Sequence, residues 1–326
     1  MVNARSLRAL AIALSLLCAT SAVAAKYPER PLKLVVPYPP GGASDGIARQ
    51  VAQRLAVKIG QPVVVENKSG AGGAIGADSV AKSSPDGYTL LLGSASELSI
   101  VPTVRAVPYN PTTDFVPIML VAKFPMVLVA NTGLPVTDLQ SFIQHAKKEA
   151  EANRFEYASI GVGTTTHIAA EYFRLTTGIP PMNNIPYKGG SPALQDVMAG
   201  HTPFMFDTLV SSIGQIKAGT VKALGITSTE RWETLPEIPT IAESGYPGFE
   251  FGGWSGILAP AGTKPEIVRI LSTALTEVMN DPAVKESIVQ VGANMAGGTP
   301  SEFKTFILSE IDKNGLIVKQ ANIQAD

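Results

Sequence analysis

The chain has 326 residues, 45% of them hydrophobic and 16% charged, with a formal net charge of -1. This composition suits a soluble globular protein of about two domains, long enough to bury a substantial core. With charge so near zero and no basic cluster, nothing supports nucleic acid or an anionic membrane surface as the main partner. A small ligand or a protein is expected instead.

Arg5 and Arg8 precede the apolar stretch ALAIALSLLCA, and SAVAA then offers a cleavage point after Ala24 or Ala25. This pattern predicts a secretory signal peptide over residues 1–25 and therefore an exported, periplasmic protein. No later stretch is apolar over the roughly 20 residues a helical membrane span needs. Cys18, the only cysteine, lies in the segment to be removed, so neither a disulfide nor a thiolate site is expected afterwards. Leu17 is bulkier than the small residue usual before a lipidated cysteine, which argues against a lipid anchor there. Loss of the two arginines leaves 24 basic against 27 acidic residues, a charge of -3.

The rest of the chain alternates strand and helix patterns. LKLVVPY (32–38) reads as a strand, and Ile47, Val51, Leu55 and Ile59 then recur on one helical face. Strands follow at 62–67 and 88–93, with a short helical pattern between them. A second series begins at MVLVAN (126–131) and runs through helices at 137–150, 165–177 and 191–199, with strands at 155–159, NNIPY, 203–207 and 221–227. WSGILAP supplies one more strand, and helical patterns begin near Pro265, Pro282 and Pro300. Strands separated by helices predict an α/β architecture with mainly parallel sheets, here in two units.

PYPPGGASDG (37–46) joins the first strand to the first helix, at the place where open α/β sheets bind ligands. Gly41 and Gly42 permit close backbone approach, and Ser44 or Asp45 can cap the helix. The loop suits an anion at a helix N-terminus, or it merely turns the chain. ASIGVGTTTHIAAEYF (158–173) repeats the arrangement with Gly161, Gly163 and three threonines. Those hydroxyls can cap the helix or donate to a ligand oxygen. Two such loops, one per unit, imply a cleft able to hold a small carboxylate with little formal positive charge.

Other chemistries find less support. GAGGAIG (70–76) has Ile75 where a dinucleotide fingerprint has its last glycine, and in GWSGI Gly256 directly follows Ser255, unlike a nucleophile elbow. His145, His167 and His201 are not spaced as a metal pair. His167 is read mainly as a capping or packed residue. Asp207, ending an apolar strand, either meets a ligand amine or accepts a backbone N–H.

Six stretches together carry a resemblance: PGGASD (40–45), ENKSGAGGAIGAD (66–78), SPDGYTLLLG (84–93), GVGTTTH (161–167), IPYKGGSPALQDVMAG (185–200) and PTIAESGYPGFEF (239–251). In this order they resemble the Bug family of extracytoplasmic solute-binding proteins, related to the binding component of tripartite tricarboxylate transporters. The resemblance implies a type II periplasmic-binding-protein fold of two α/β domains joined by two crossings around a central ligand cleft. The expected domains are 26–123 plus 245–326, and 124–244. It further implies a monomeric receptor that takes a small organic carboxylate, needs no cofactor and delivers its ligand to large and small integral-membrane transporter subunits. Carried over residue by residue, the first loop contributes Pro40, Gly41, Gly42, Ala43 and Asp45, and the second contributes Ser159, Gly163, Thr164, Thr165 and His167. Ser94, Ser96, Tyr187, Lys188, Gly189 and Asp207 line the remainder. Glu97 departs from the family pattern, and a carboxylate near the cleft would favour a ligand amine or repel a second carboxylate. The competing readings are an exported enzyme, for which Asp45, Asp207 and His167 have no identified orienting partner, and a ligand sensor for a membrane kinase.

Overall fold

The computed structural model describes residues 27–290 and 292–324. The signal peptide expected over 1–25, with Arg5, Arg8 and Cys18, lies outside the described residues. The first sheet starts with β1 (Leu32–Val36), flanked in parallel by β2 (Val63–Asn67) and β3 (Thr89–Ser94). Helix α1 (Ala43–Ile59) packs on it: Ile47, Val51 and Leu55, the face expected from their spacing, are buried against Leu34, Val36, Leu90 and Leu92. After β3 come one turn of π-helix at Ser96–Ile100 and the short α-helix Val101–Val104.

One long strand, β4 (Phe115–Ala130), belongs to both sheets. Its first part pairs antiparallel with the later strand Gly252–Pro260, and Met126–Ala130 pair antiparallel with Phe204–Thr208. Only residues 126–131 read as a strand in the sequence. Pro117 and Pro125, which remove ladder donors, mask the rest, and the register shifts near Pro117 and after Leu120 absorb the irregularity. The second sheet continues from Phe204–Thr208 to Glu156–Ser159 and Asn183–Pro186, all parallel, with Lys222–Ile226 on the other side of β4. Its core is rich in aromatic contacts: Phe142 packs edge-on against Phe204, and Phe155 stacks on Phe204.

The chain passes between the sheets along two adjacent segments, at Phe124–Met126 and at Thr227–Phe251, and Thr227 ties them together. Its amide donates to Met126 O at 2.9 Å, its hydroxyl accepts from Met126 N at 2.8 Å, and the same hydroxyl donates to Phe251 O. Gly252 and Gly253 allow the close approach here, because a Cβ on either would collide with Phe124. The long C-terminal helix Pro300–Gln320 covers β4 and the turn after β3. It begins with a capping box in which Thr299 and Glu302 satisfy each other's amides.

Candidate functional site

The first loop leaves β1 and reaches α1 through Pro39, Pro40, Gly41 and Gly42, all exposed. Gly41 has φ of 85°, a conformation other residues adopt only with strain. Gly42 occupies the N-cap, where it brings no side-chain oxygen to the first-turn amides. The cap expected from Ser44 or Asp45 is therefore absent, since both stand inside the helix. Asp45 reaches back instead. It accepts from Gly41 N at 3.0 Å, Arg49 Nε at 2.9 Å and Asn67 Nδ2 at 3.0 Å. Burial alone would raise its carboxyl, but these donors outweigh it and hold Asp45 below the usual carboxylate range. Asp45 thus braces the loop from behind, and Ala43 opens the helix.

The second loop joins Glu156–Ser159 to the helix Thr165–Thr177 and is wired internally. Thr164, at the N-cap, donates its hydroxyl to Gly161 O at 2.7 Å, and Thr166 Oγ1 accepts from Ile160 N at 2.9 Å. Ser159 Oγ accepts from Gly161 N, and His167 Nδ1 accepts from Gly163 N at 3.0 Å. Accepting at Nδ1 places the proton of neutral His167 on Nε2, and burial pushes its pKa down to about 4. It is a packed, loop-shaping residue. Thr165 faces the cleft and Ser96: its amide donates to Ser96 Oγ at 3.2 Å, and the two hydroxyls lie 2.9 Å apart. This contact links the turn after β3 directly to the second sheet's helix.

Between the loops lies a cleft of about 630 Å³. Of the residues expected from the sequence, Pro40, Gly41, Gly42, Ser94, Ser96, Thr165, Lys188, Gly189 and Asp207 line it. Asp45, Ser159, Gly163, Thr164 and His167 stand behind the two loops. Tyr187 also turns away, donating its hydroxyl to Asp196 Oδ2 at 2.7 Å. Asp207 lines the cleft yet is 2% exposed, and it accepts from Thr208 N and from Ser212 Oγ at 2.6 Å. Burial raises its carboxyl to about 6 against those donors. The backbone N–H expected as one of its partners is therefore Thr208's. Glu97 is fully buried behind Tyr38 and Ser94 and does not line the cleft.

Further lining residues are Tyr38, from the first loop, and Phe124, Ser191, Gln195, Ser211, Gln215 and Trp254. Ser191 with Gln195, and Ser211 with Gln215, are polar pairs four apart near the starts of the helices Gly190–Ala199 and Leu209–Lys217. That spacing places each pair on one helix face, and it was the available sequence signal. Trp254 is positioned by Nε1 donating to Glu310 Oε2 at 3.1 Å.

Among the lining residues Lys188 is the only cationic side chain, and it is exposed. The cleft's positive potential at the two loops comes instead from two helix starts, at Gly42–Ser44 and at Thr165–Thr166, presented from different sheets. Such an arrangement recognises an anion through amides and hydroxyls rather than through an ion pair.

The profile of the family described as tripartite tricarboxylate transporter family receptor matches residues 47–323. Protein BugT of Bordetella pertussis is 38% identical over 299 residues, covering 90% of each chain. The structure of periplasmic binding protein BugD is 36% identical with a TM-score of 0.85, covering 92% of this chain and all of that one. R. palustris Rpa4515, solved with adipate, is 34% identical with a TM-score of 0.86, covering 91% and 99%. The α/β architecture is thus that of the periplasmic binding proteins of the Bug type, and the chain belongs to the tripartite tricarboxylate transporter receptor family.

Proposed function

We propose that this protein is a periplasmic receptor that captures a small organic carboxylate in the cleft and delivers it to the integral-membrane subunits of a tripartite transporter. The observation that carries the reading is the pair of helix N-termini converging on one cleft from two sheets, with a single exposed lysine among the lining residues. The adipate held by Rpa4515 supports a carboxylate as the ligand class. In this reading residues 26–123 plus 245–326 form one lobe and 124–244 the other, with the binding residues on the two loops and along the cleft walls. In this reading the protein acts as a monomer and binds without turnover: His167 is committed to Gly163, and Asp207 is held by Thr208 N and Ser212 Oγ. A ligand touching both loops stabilises the arrangement in which Ser96 meets Thr165, so closure follows from differential affinity.

The test is a thermal-shift and calorimetric titration of the purified mature protein with dicarboxylates of four to six carbons and their diamides. Acid at a hundredfold over its dissociation constant adds about 2.7 kcal/mol and raises the midpoint by several degrees. The expected result is a shift with acids alone, reduced at least tenfold in affinity by Thr165→Val. Amides that bind as tightly as acids would remove the carboxylate from this reading.

A further inference from the structure

Glu97 is a second buried carboxylate behind the cleft wall on the first-sheet side, and unlike Asp45 it is bonded to hydroxyls that themselves line the cleft. It is fully buried in the π-turn after β3. One oxygen accepts from Ser94 N. The other accepts from Ser94 Oγ and from Tyr38 Oη, each at 2.7 Å. The hydroxyls of Tyr38 and Ser94 lie 3.0 Å from each other. The turn at Gly73 presses in so closely that any Cβ there would come within 2.8 Å of the carboxylate. The site therefore admits no water or second donor from that direction, and the hydroxyls supply the partners.

A hydroxyl has one proton and two lone pairs. With both protons turned onto Glu97, Tyr38 and Ser94, which line the cleft, keep only lone pairs for a ligand. This wall accepts hydrogen bonds, whereas the two helix starts donate them. Apart from Ser96, a neighbouring hydroxyl that is shared with Thr165, those lone pairs have no donor when a carboxylate or bare alkyl group is set against the wall, and a ligand hydroxyl or amine satisfies them.

We propose that Glu97 is a specificity-setting residue: by orienting the Tyr38 and Ser94 hydroxyls inward, it makes the receptor select carboxylates that bear a hydroxyl or amino substituent over their unsubstituted counterparts. The proposal rests on the cleft being a carboxylate site. Burial lifts the Glu97 carboxyl to about 7 despite its donors. Once protonated, Glu97 must donate to one of the two hydroxyls and frees that proton to turn toward the cleft. The selectivity therefore weakens as pH falls below about 7. The titratable groups nearest Glu97 are Tyr38, on its carboxylate, and Tyr109, whose hydroxyl donates to the Glu97 carbonyl at 2.7 Å, with Asp78 and Arg105 acting on Tyr109 one layer out.

The test measures affinities of the purified mature protein for matched series at pH 8: succinate with malate and aspartate, glutarate with 2-hydroxyglutarate and glutamate, adipate with 2-aminoadipate. The wild type is expected to favour the substituted acid in at least one series by about tenfold, the scale of one hydrogen bond. In Glu97→Gln the amide oxygen still accepts from Ser94 N while the amide nitrogen donates to the hydroxyls, which reverses the wall. The preference then falls to near unity or inverts, with carboxylate binding itself retained. Tyr38→Phe, which removes one acceptor of the wall and with it one of the donors to Glu97, lowers the preference as well and serves if the Gln variant does not fold. A wild type that binds substituted and plain acids equally, or a preference untouched by either substitution, overturns the proposal while leaving the receptor reading standing. Failure of every acid to bind overturns the receptor reading, and this proposal with it.

Discussion

In the first loop Pro39, Pro40, Gly41 and Gly42 are all exposed, whereas in the second every residue from Gly163 to His167 is buried. The two were written with the same grammar, a strand end, two glycines, small polar residues and a helix. They are nevertheless held in opposite ways. The first is clasped from outside by Asp45, which sits inside the helix and pulls back on Gly41. The second is held from within, by Thr164, Thr166 and His167, whose polar atoms bond to the loop's own backbone. A polar residue in such a loop is thus no sign of ligand contact. In the proposed reading a ligand therefore meets the helix-start amides not already bonded within the protein, together with the Thr165 hydroxyl; the Thr165 amide itself donates to Ser96 Oγ.

The inner wiring of the second loop is tested most severely by His167→Ala. It deletes the acceptor of a buried amide and leaves a cavity, and about 2–3 kcal/mol of stability should be lost in urea unfolding. The loss should also depend on pH with a defined sign. His167 is held down to about 4 in the folded protein from an ordinary value of 6.5. The unfolded chain therefore binds the proton more readily between those values, and the wild type loses the corresponding stability as pH falls from 6.5 toward 4. The Ala variant has no such loss, so the gap between the two proteins narrows on acidification. Glu97 and Asp207, raised to about 7 and about 6, act in the other direction. Their stabilisation is present in acid and is lost as pH rises through those values, equally in both proteins, so it cancels from the difference. A gap constant from pH 7 to pH 4 would mean that His167 is not buried as a neutral acceptor.

Asp45→Ala probes the outer clasp and should cost less, about 1–2 kcal/mol, because the Gly41 amide it abandons lies in an exposed loop and can turn to water. The distinguishing readout is hydrogen exchange at Gly41, expected to accelerate in Asp45→Ala and to recover in part in Asp45→Asn, which keeps an acceptor. Exchange at Gly163 should stay unchanged in both. Acceleration at both glycines together would mean that the loops are one cooperative unit rather than two separately built walls.

Parts of this arrangement were legible in the sequence, and the reasons are local. Ile47, Val51 and Leu55 announce a buried helix face because a period near four has no other efficient use. The glycines of both loops announce backbone geometry that side chains obstruct. The first half of β4 was hidden because prolines that would break a central strand are absorbed by its register shifts, a tertiary effect. Glu97 is visible in the sequence as a carboxylate close to the cleft, but its burial one layer behind Tyr38 follows from a π-turn that has no periodic signature. Phe124 and Trp254 reach the cleft only through the way β4 and the Gly252–Pro260 strand are brought together, which no short motif records.

The smallest expected effect is Arg49→Met, and it tests which of Asp45's partners matters. Arg49 makes the most conspicuous charged contact in the region, at 2.9 Å, yet its side chain is 55% exposed where that of Asp45 is only 6% exposed. Solvent screens the exposed partner, and a methionine retains the aliphatic stem along the helix. Asp45 also keeps Gly41 N and Asn67 Nδ2 as donors, and Asn67 separately holds the carbonyl of Tyr38 at 3.0 Å. Unfolding midpoint and carboxylate affinity should therefore match the wild type, while Asn67→Leu, which removes an uncharged partner bonded to both ends of the loop, should lower both. If Arg49→Met proved the more damaging of the two, the first loop would be held by charge rather than by geometry, and its contrast with the uncharged wiring of the second would be deeper than the hydrogen bonds alone imply.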